Sequence, residues 1–166
     1  MKIIILGAGQ VGRTAAYHLA REEANDVTVV DTNDHLLRDL QDRLDIRTVA
    51  GNGAHPNVLE MAGATNADMI VALTNSDEVN MVACQVAWTL FRTRTKIARI
   101  RSLAYTGHEG LFFDTDTPPP DGAGFPVDVY ISPEELVAQY VERLIRYSGA
   151  LQVLEFADGR VRLVGV

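Results

Sequence analysis

Short aliphatic runs alternate with stretches of helical periodicity along most of this chain. Ile3 to Leu6 is uninterrupted and rich in β-branched residues, the pattern of a strand buried on both faces. Behind it, Val11, Ala15 and Leu19 recur at helical spacing. Val27 to Val30 is a second aliphatic run, closed by Asp31, and Leu36, Leu37, Leu40 and Leu44 share one face of a helix predicted over Asp34 to Leu44. The same reading gives a third strand at Ile46 to Ala50, a short helix at Pro56 to Ala62 and a fourth strand at Met69 to Leu73. It continues with a long apolar helix at Glu78 to Phe91, a fifth strand at Ile97 to Ile100 and a sixth at Val127 to Ile131.

Strands that alternate with helices join through right-handed crossovers and pair in parallel. The expected fold is therefore α/β: a Rossmann-type doubly wound parallel sheet over residues 1–131. Ser102 to Pro126 interrupts the rhythm with Pro118-Pro119-Pro120, several glycines and one apolar island, Leu111-Phe112-Phe113, and is expected to be an exposed loop. Residues 132–166 form an appendage. Ser132-Pro133-Glu134-Glu135 is a helix start, with Leu136, Val137, Tyr140, Val141, Leu144 and Ile145 on its apolar face and Gly149 as a stop. Val153 to Phe156 and Val161 to Val164 then read as a hairpin turning at Asp158-Gly159. An isolated hairpin is marginal in water, so this helix and hairpin need a surface to pack on.

Composition narrows the classes. With 15 basic and 22 acidic residues the net charge is −7, and no basic stripe is present to neutralise a phosphate backbone, which argues against nucleic acid. Cys84 is the one cysteine, set in an apolar helix, so no disulfide framework exists and a reducing cytoplasm is expected. The chain enters a strand at once, without a charged leader, and no apolar run approaches the length of a membrane span. Any membrane role is expected to run through a partner.

The candidate chemistry lies where strands end. Gly7-Ala8-Gly9-Gln10-Val11-Gly12 joins the first strand to the first helix in the spacing of a dinucleotide-binding loop: Gly7 for the turn, Gly9 for approach of a pyrophosphate, Gly12 for close helix packing. Phosphates would meet the unsatisfied N–H groups of the helix start. Asp31 follows Gly12 by nineteen residues, near the position at which an acid accepts from both ribose hydroxyls, which favours NAD-like over NADP-like ligands. Gly51-Asn52-Gly53 would pass near an adenine, and Thr74 and Asn75 could reach the far ribose or nicotinamide. Arg99, inside an aliphatic strand, calls for an anionic partner. Catalytic and metal-binding residues are not assigned. His18, His35, His55 and His108 make no metal spacing, no tyrosine is followed four residues later by lysine, and neither GxSxG nor CxxC occurs. A site that holds a dinucleotide without a substrate pocket suggests sensing.

Several blocks together resemble one family. Met1 to Gly12, Val29-Val30-Asp31-Thr32, Ala72 to Gln85 with its Thr74-Asn75-Ser76-Asp77-Glu78-Val79-Asn80 core, Ile97 to Ser102 and Ile131 to Glu135 are similar to the regulatory NAD-binding subunits of bacterial Trk potassium uptake systems, the TrkA family of KTN/RCK domains. The resemblance implies a cytoplasmic protein at the inner face of the membrane, binding NAD+ or NADH, assembling as a homo-oligomer and gating a Trk-type potassium-translocating membrane protein. It puts pyrophosphate on Gly7, Ala8, Gly9, Gln10, Val11 and Gly12, the adenosine ribose on Asp31 with Thr32 beside it, and adenine near Asn52 and Gly53. The nicotinamide half falls near Leu73, Thr74, Asn75 and Arg99. The family's usual small C-terminal ligand domain and tandem second copy have no counterpart here, so a fragment of a longer chain is expected. An ATP/ADP-responsive RCK domain and a small NAD-dependent oxidoreductase are the alternatives.

Overall fold

The computed structural model describes residues 1–108, 113, 124–146, 152–156 and 161–165. These form two compact units, Met1–Ile131 and Ser132–Val166.

In the first unit the elements are β1 (Lys2–Leu6), α1 (Gln10–Leu19), β2 (Asp26–Asp31), α2 (Asp34–Gln41), β3 (Arg47–Ala50) and α3 (Pro56–Met61). A 3₁₀ turn (Ala64–Asn66) leads to β4 (Met69–Ala72), α4 (Asp77–Phe91), β5 (Thr95–Arg99), α5 (Leu103–Thr106) and β6 (Val129–Ile131). The six strands pair in parallel in the order β3-β2-β1-β4-β5-β6, the Rossmann-type arrangement. Strand order reverses between β1 and β4. Ligands in such sheets bind beyond the carboxyl ends at that point.

Alternation along the strands divides the core into two layers. Ile3, Ile5, Val27, Val29 and Val71 pack with Ala16 of α1 and with Leu37 and Leu40 of α2. Ile4, Leu6, Val30, Ile70 and Ala98 face the other way, onto Val58 and Leu59 of α3 and Met81 and Cys84 of α4. Both faces of the sheet are thus covered at its centre, which is why β1 and β4 read as unbroken apolar runs.

Two expectations need correction. Helix α2 ends at Gln41 and not Leu44, although the Leu44 N–H still bonds to the Leu40 carbonyl and its side chain still packs on the core. The interruption after Arg101 is also not loop throughout. Ser102 caps α5 by accepting from the Ala104 N–H, and Phe113 is buried against the ring of Tyr130, with centroids 5.4 Å apart. The apolar island thus lends a residue to the core. The proline run 118–120 lies outside the described residues.

One polar cluster gives the lower edge of the sheet its order. Lys96, 2% exposed, donates from Nζ to the Asp128 carboxylate at 2.8 Å and to the Arg94 carbonyl at 3.2 Å, and lies 5.0 Å from the centroid of the Trp88 ring. Its charge is paired and hydrogen-bonded, the condition under which burial is tolerated.

The second unit comprises α6 (Pro133–Arg146) and the antiparallel strands β7 (Gln152–Phe156) and β8 (Val161–Gly165). The register Phe156↔Val161 is the one a two-residue turn at 158–159 requires, though that turn and Gly149 lie outside the described residues. Leu136, Val137, Tyr140, Val141 and Ile145 of α6 are exposed.

Candidate functional site

A cleft of about 630 Å³ opens around the switch point between β1 and β4, a size that suits a cofactor. Its floor is the loop from β1 to α1. Gly7 has φ +103°, a conformation that L side chains rarely adopt, and a Cβ there would stand 2.9 Å from the Leu73 carbonyl oxygen. Gly12 packs so closely that its Cβ would lie 1.8 Å from the Gly7 carbonyl oxygen. Gly9 differs: a Cβ would meet nothing within 4 Å. The space beside Gly9 is cleft.

Gly9 is also the N-cap of α1, and no side chain caps that helix. The first-turn N–H groups have no intrahelical acceptor and carry the positive end of the helix dipole, so this end of the cleft favours an anion. A diphosphate fits both features: space for its oxygens and donors for them.

Asp31 ends β2 on the same rim. Its Oδ2 accepts from the Ala8 N–H at 2.6 Å and its Oδ1 from the Asn33 N–H at 2.7 Å. Each oxygen keeps lone-pair capacity for a further donor. The carboxylate is therefore held in one orientation before any ligand arrives. Asn33, whose Oδ1 accepts from His35 and Leu36 N–H groups, caps α2. Beyond β3, the Asn52 Oδ1 accepts from the Ala54 N–H at 2.9 Å, and a Cβ on Gly53 would press on Leu6 at 2.9 Å. A larger residue there would have to displace the Leu6 side chain.

The other half of the cleft is built on β4 and β5. The Thr74 hydroxyl donates to Asn80 Oδ1 at 2.7 Å, while Asn80 Nδ2 donates to the Arg99 carbonyl at 2.8 Å. Next to it, the Asp77 Oδ2 accepts from the Arg101 and Ser102 N–H groups at 2.9 and 2.8 Å. The Arg101 guanidinium returns to the Asn75 carbonyl. Ser76 caps α4 by accepting from the Val79 N–H and donates to Glu78. Glu78 titrates below the ordinary glutamate range because its own backbone N–H, the Ser76 hydroxyl and the Tyr105 hydroxyl bond to the carboxylate; the same contact with Glu78 pushes the Tyr105 phenol up.

Twelve of the fourteen residues singled out from the sequence line the cleft: Gly7, Gly9, Gln10, Val11, Asp31, Thr32, Asn52, Gly53, Leu73, Thr74, Asn75 and Arg99. Ala8 and Gly12 do not. Ala8 is fully buried and contributes its N–H to Asp31, and Gly12 lies beneath Gly7. Sequence reasoning missed the apolar walls Val30, Leu36 and Val79, and it read Asp77 and Asn80 only as parts of a motif. Both are buried polar residues on the inner face of α4, in step with Cys84. That polar interruption of an apolar helical stripe was the available signal. All four histidines are exposed, and among the described residues none lines the cleft.

The family model of the TrkA-N domain matches residues 3–109. The Trk system potassium uptake protein TrkA of Halomonas elongata is 61% identical over all 166 residues, which span 34% of that protein. The chain thus spans about a third of the curated relatives it matches. Among solved structures, the TrkA-N domain of the inner membrane protein ybaL of Escherichia coli superposes with a TM-score of 0.66 at 19% identity, covering 87% of this chain and 96% of that one, a likeness of fold. The GsuK channel bound to NAD matches at 25% identity with a TM-score of 0.53, over 62% of this chain and 18% of that one. With the sheet order, the glycine loop and the match over residues 3–109 in agreement, this chain belongs to the TrkA-N domain family.

Proposed function

We propose that this chain is the NAD(H)-binding regulatory module of a Trk-type potassium uptake system. The observation that carries the reading is the cleft: an open anion-binding end at Gly9 and a pre-oriented acid at Asp31 occupy one side of the switch point, and Thr74, Asn75 and Arg99 the other. Pyrophosphate lies on Gly7 to Gly12, the adenosine ribose on Asp31 and Thr32, adenine by Asn52 and Gly53, and the nicotinamide half by Leu73, Thr74, Asn75 and Arg99. The name of the Halomonas elongata relative and the NAD-bound GsuK channel support it.

The action is regulatory and not catalytic. Among the described residues the titratable side chains lining the cleft are Asp31 and Arg99. A carboxylate that already accepts two backbone N–H bonds and a guanidinium that offers donors and no acceptor are poor proton shuttles. NAD+ and NADH differ by one charge at the nicotinamide, and Arg99 is the cleft residue that discriminates them. A ligand that binds two arrangements unequally shifts their populations, commonly by about 1–3 kcal/mol of coupling. The responding assembly is a homo-oligomer docked on a potassium-translocating membrane protein at the cytoplasmic face. Among the described residues no helix is long and apolar enough to cross a membrane.

Calorimetric titration of the purified chain with NADH, NAD+, NADPH, ATP and ADP tests the assignment. NAD(H) should bind more tightly than NADPH, whose extra phosphate would face Asp31. Tighter binding of ATP or ADP than of either dinucleotide would replace the reading with an adenine-nucleotide sensor.

A further inference from the structure

Parallel pairing of β4 with β5 stops at Ala72↔Ala98, yet Thr74 and Arg99, which both line the far half of the cleft, lie beyond that last rung. Asn80 supplies the missing tie. Its Oδ1 accepts from the Thr74 N–H at 3.0 Å and from the Thr74 hydroxyl at 2.7 Å. Its Nδ2 donates to the Arg99 carbonyl at 2.8 Å and, at 3.4 Å, to that of Thr74. Three of these contacts fix the orientation of the amide, because a backbone N–H meets one end and two carbonyls the other; the Thr74 hydroxyl, able to donate or accept, conforms to it.

Asn80 is 0% exposed and does not line the cleft, so it touches no ligand itself. A buried amide also gives less than an apolar side chain of similar size unless its bonds are all made. Here they are made, and what they add beyond burial is a fixed link between Thr74 and Arg99. We propose that Asn80 is a positioning residue that sets the separation of Thr74 from Arg99, and that it thereby governs how well the site holds the half of a dinucleotide remote from adenosine. This rests on the nucleotide-binding reading above. It makes a specific demand: disturbing Asn80 should weaken ligands that span the cleft and spare those confined to the adenosine side.

Asn80→Asp keeps the volume and the acceptor facing Thr74 while replacing the donor to the Arg99 carbonyl with an oxygen. NADH and ADP titrated into wild type and variant by calorimetry, with thermal melts alongside, give the comparison. NADH should weaken by about tenfold or more, the scale of one lost buried hydrogen bond and the shift it permits, with ADP unchanged within about twofold. In an Arg99→Ala background the same substitution should add less than about twofold for NADH, because its effect passes through Arg99. If the buried charge prevents folding, Asn80→Ser, neutral and smaller, is held to the same ranking of ligands. Equal losses for NADH and ADP, or no loss for NADH, would overturn the positioning role while leaving the site assignment intact. Failure of wild type to bind either nucleotide would instead remove the assignment beneath it.

Discussion

Asp31 has two tasks that one substitution series can separate. The carboxylate accepts from Ala8 and Asn33 at 2.6 and 2.7 Å without any ligand, so it fastens the glycine loop to the end of β2 in the free protein. Hydrogen bonds to a charged acceptor are each worth about 1.5–3 kcal/mol, less where water competes. Ala8 is fully buried, whereas Asn33 is exposed. In Asp31→Ala the Asn33 N–H turns to water, but the Ala8 N–H loses a partner inside the fold. The expected loss is about 2–3 kcal/mol, nearly all from Ala8, or roughly 4–12 °C in Tm for a chain of this length. Asp31→Asn keeps one carbonyl oxygen for the Ala8 N–H and should lose about half as much. Ligand affinity should follow the same order, with NADH weakened about 10- to 150-fold in Asp31→Ala through loss of charge-assisted bonds to the ribose. Thermal melts of the free variants, with calorimetric titration of each, measure the two tasks separately. An Asp31→Ala protein that melts with wild type would refute the structural task, and one that binds NADH unchanged would refute the ribose contact.

Gly9→Ala should leave stability within about 1 kcal/mol, the cost of alanine as an N-cap, since φ −66° suits any residue and the new methyl meets open space, yet NADH titration should show an affinity loss of about tenfold or more. Gly12→Ala should do the reverse in order of severity: its methyl at 1.8 Å from a backbone oxygen forces α1 off β1, and denaturant melts should register about 3 kcal/mol or more, a loss under about 0.5 kcal/mol being incompatible with the packing described. Cys84, whose thiol burial pushes up to about 12, should be inert to a disulfide reagent at pH 8 until the protein unfolds; rapid modification of the native chain would contradict its burial. The Glu78 carboxylate, held low in the fold, stabilises above the ordinary glutamate pKa of about 4.3 and ceases to as pH falls through its lowered value. Glu78→Gln should accordingly flatten the acid limb of a stability–pH curve. Tyr105, raised by the same contact, stabilises below the ordinary tyrosine pKa of about 10 and no longer does once pH climbs past its raised value, so the difference in phenolate absorbance between wild type and Tyr105→Phe should reveal a midpoint above 10.

What the sequence made legible follows from range. The glycine loop, Asp31 and the alternation of strands with helices announce themselves through spacing along the chain, because a strand buried on both faces must be aliphatic and a βα turn must be short. The Asp31 side of the cleft is built from such neighbours: Ala8, Asp31 and Asn33 meet across one strand-to-strand step. The far side is not. Asn80 reaches Arg99 nineteen residues on, and Asp77 takes N–H groups from Arg101 and Ser102. No local pattern predicts those partners. Helix α2 was over-extended for a related reason, since Leu44 keeps the apolar period after the backbone has left the helix.

That division has a consequence for how a signal could leave the site. A ligand confined to the Asp31 side meets groups whose positions are set by the β1–β2 ladder and by the loop after β1, which the Asp31 carboxylate fastens to the end of β2. A ligand that reaches Thr74 and Arg99 meets groups beyond the last β4–β5 rung, joined across that gap by the Asn80 amide, with Arg99 itself paired to Ile131 of β6 and Asp77 holding the Arg101 and Ser102 N–H groups at the start of α5. Displacing the Arg99 end therefore moves the Arg101-Ser102 backbone with it, and α5 begins at the next residue. Asp77→Asn weakens the second tie without touching the cleft, as Asp77 is buried and does not line it. Hydrogen exchange of the 103–108 amides, measured with and without NADH, should show ligand-dependent protection in wild type and a smaller difference in Asp77→Asn. Equal protection in both would mean that α5 does not follow the site, and that any regulatory signal leaves by another element.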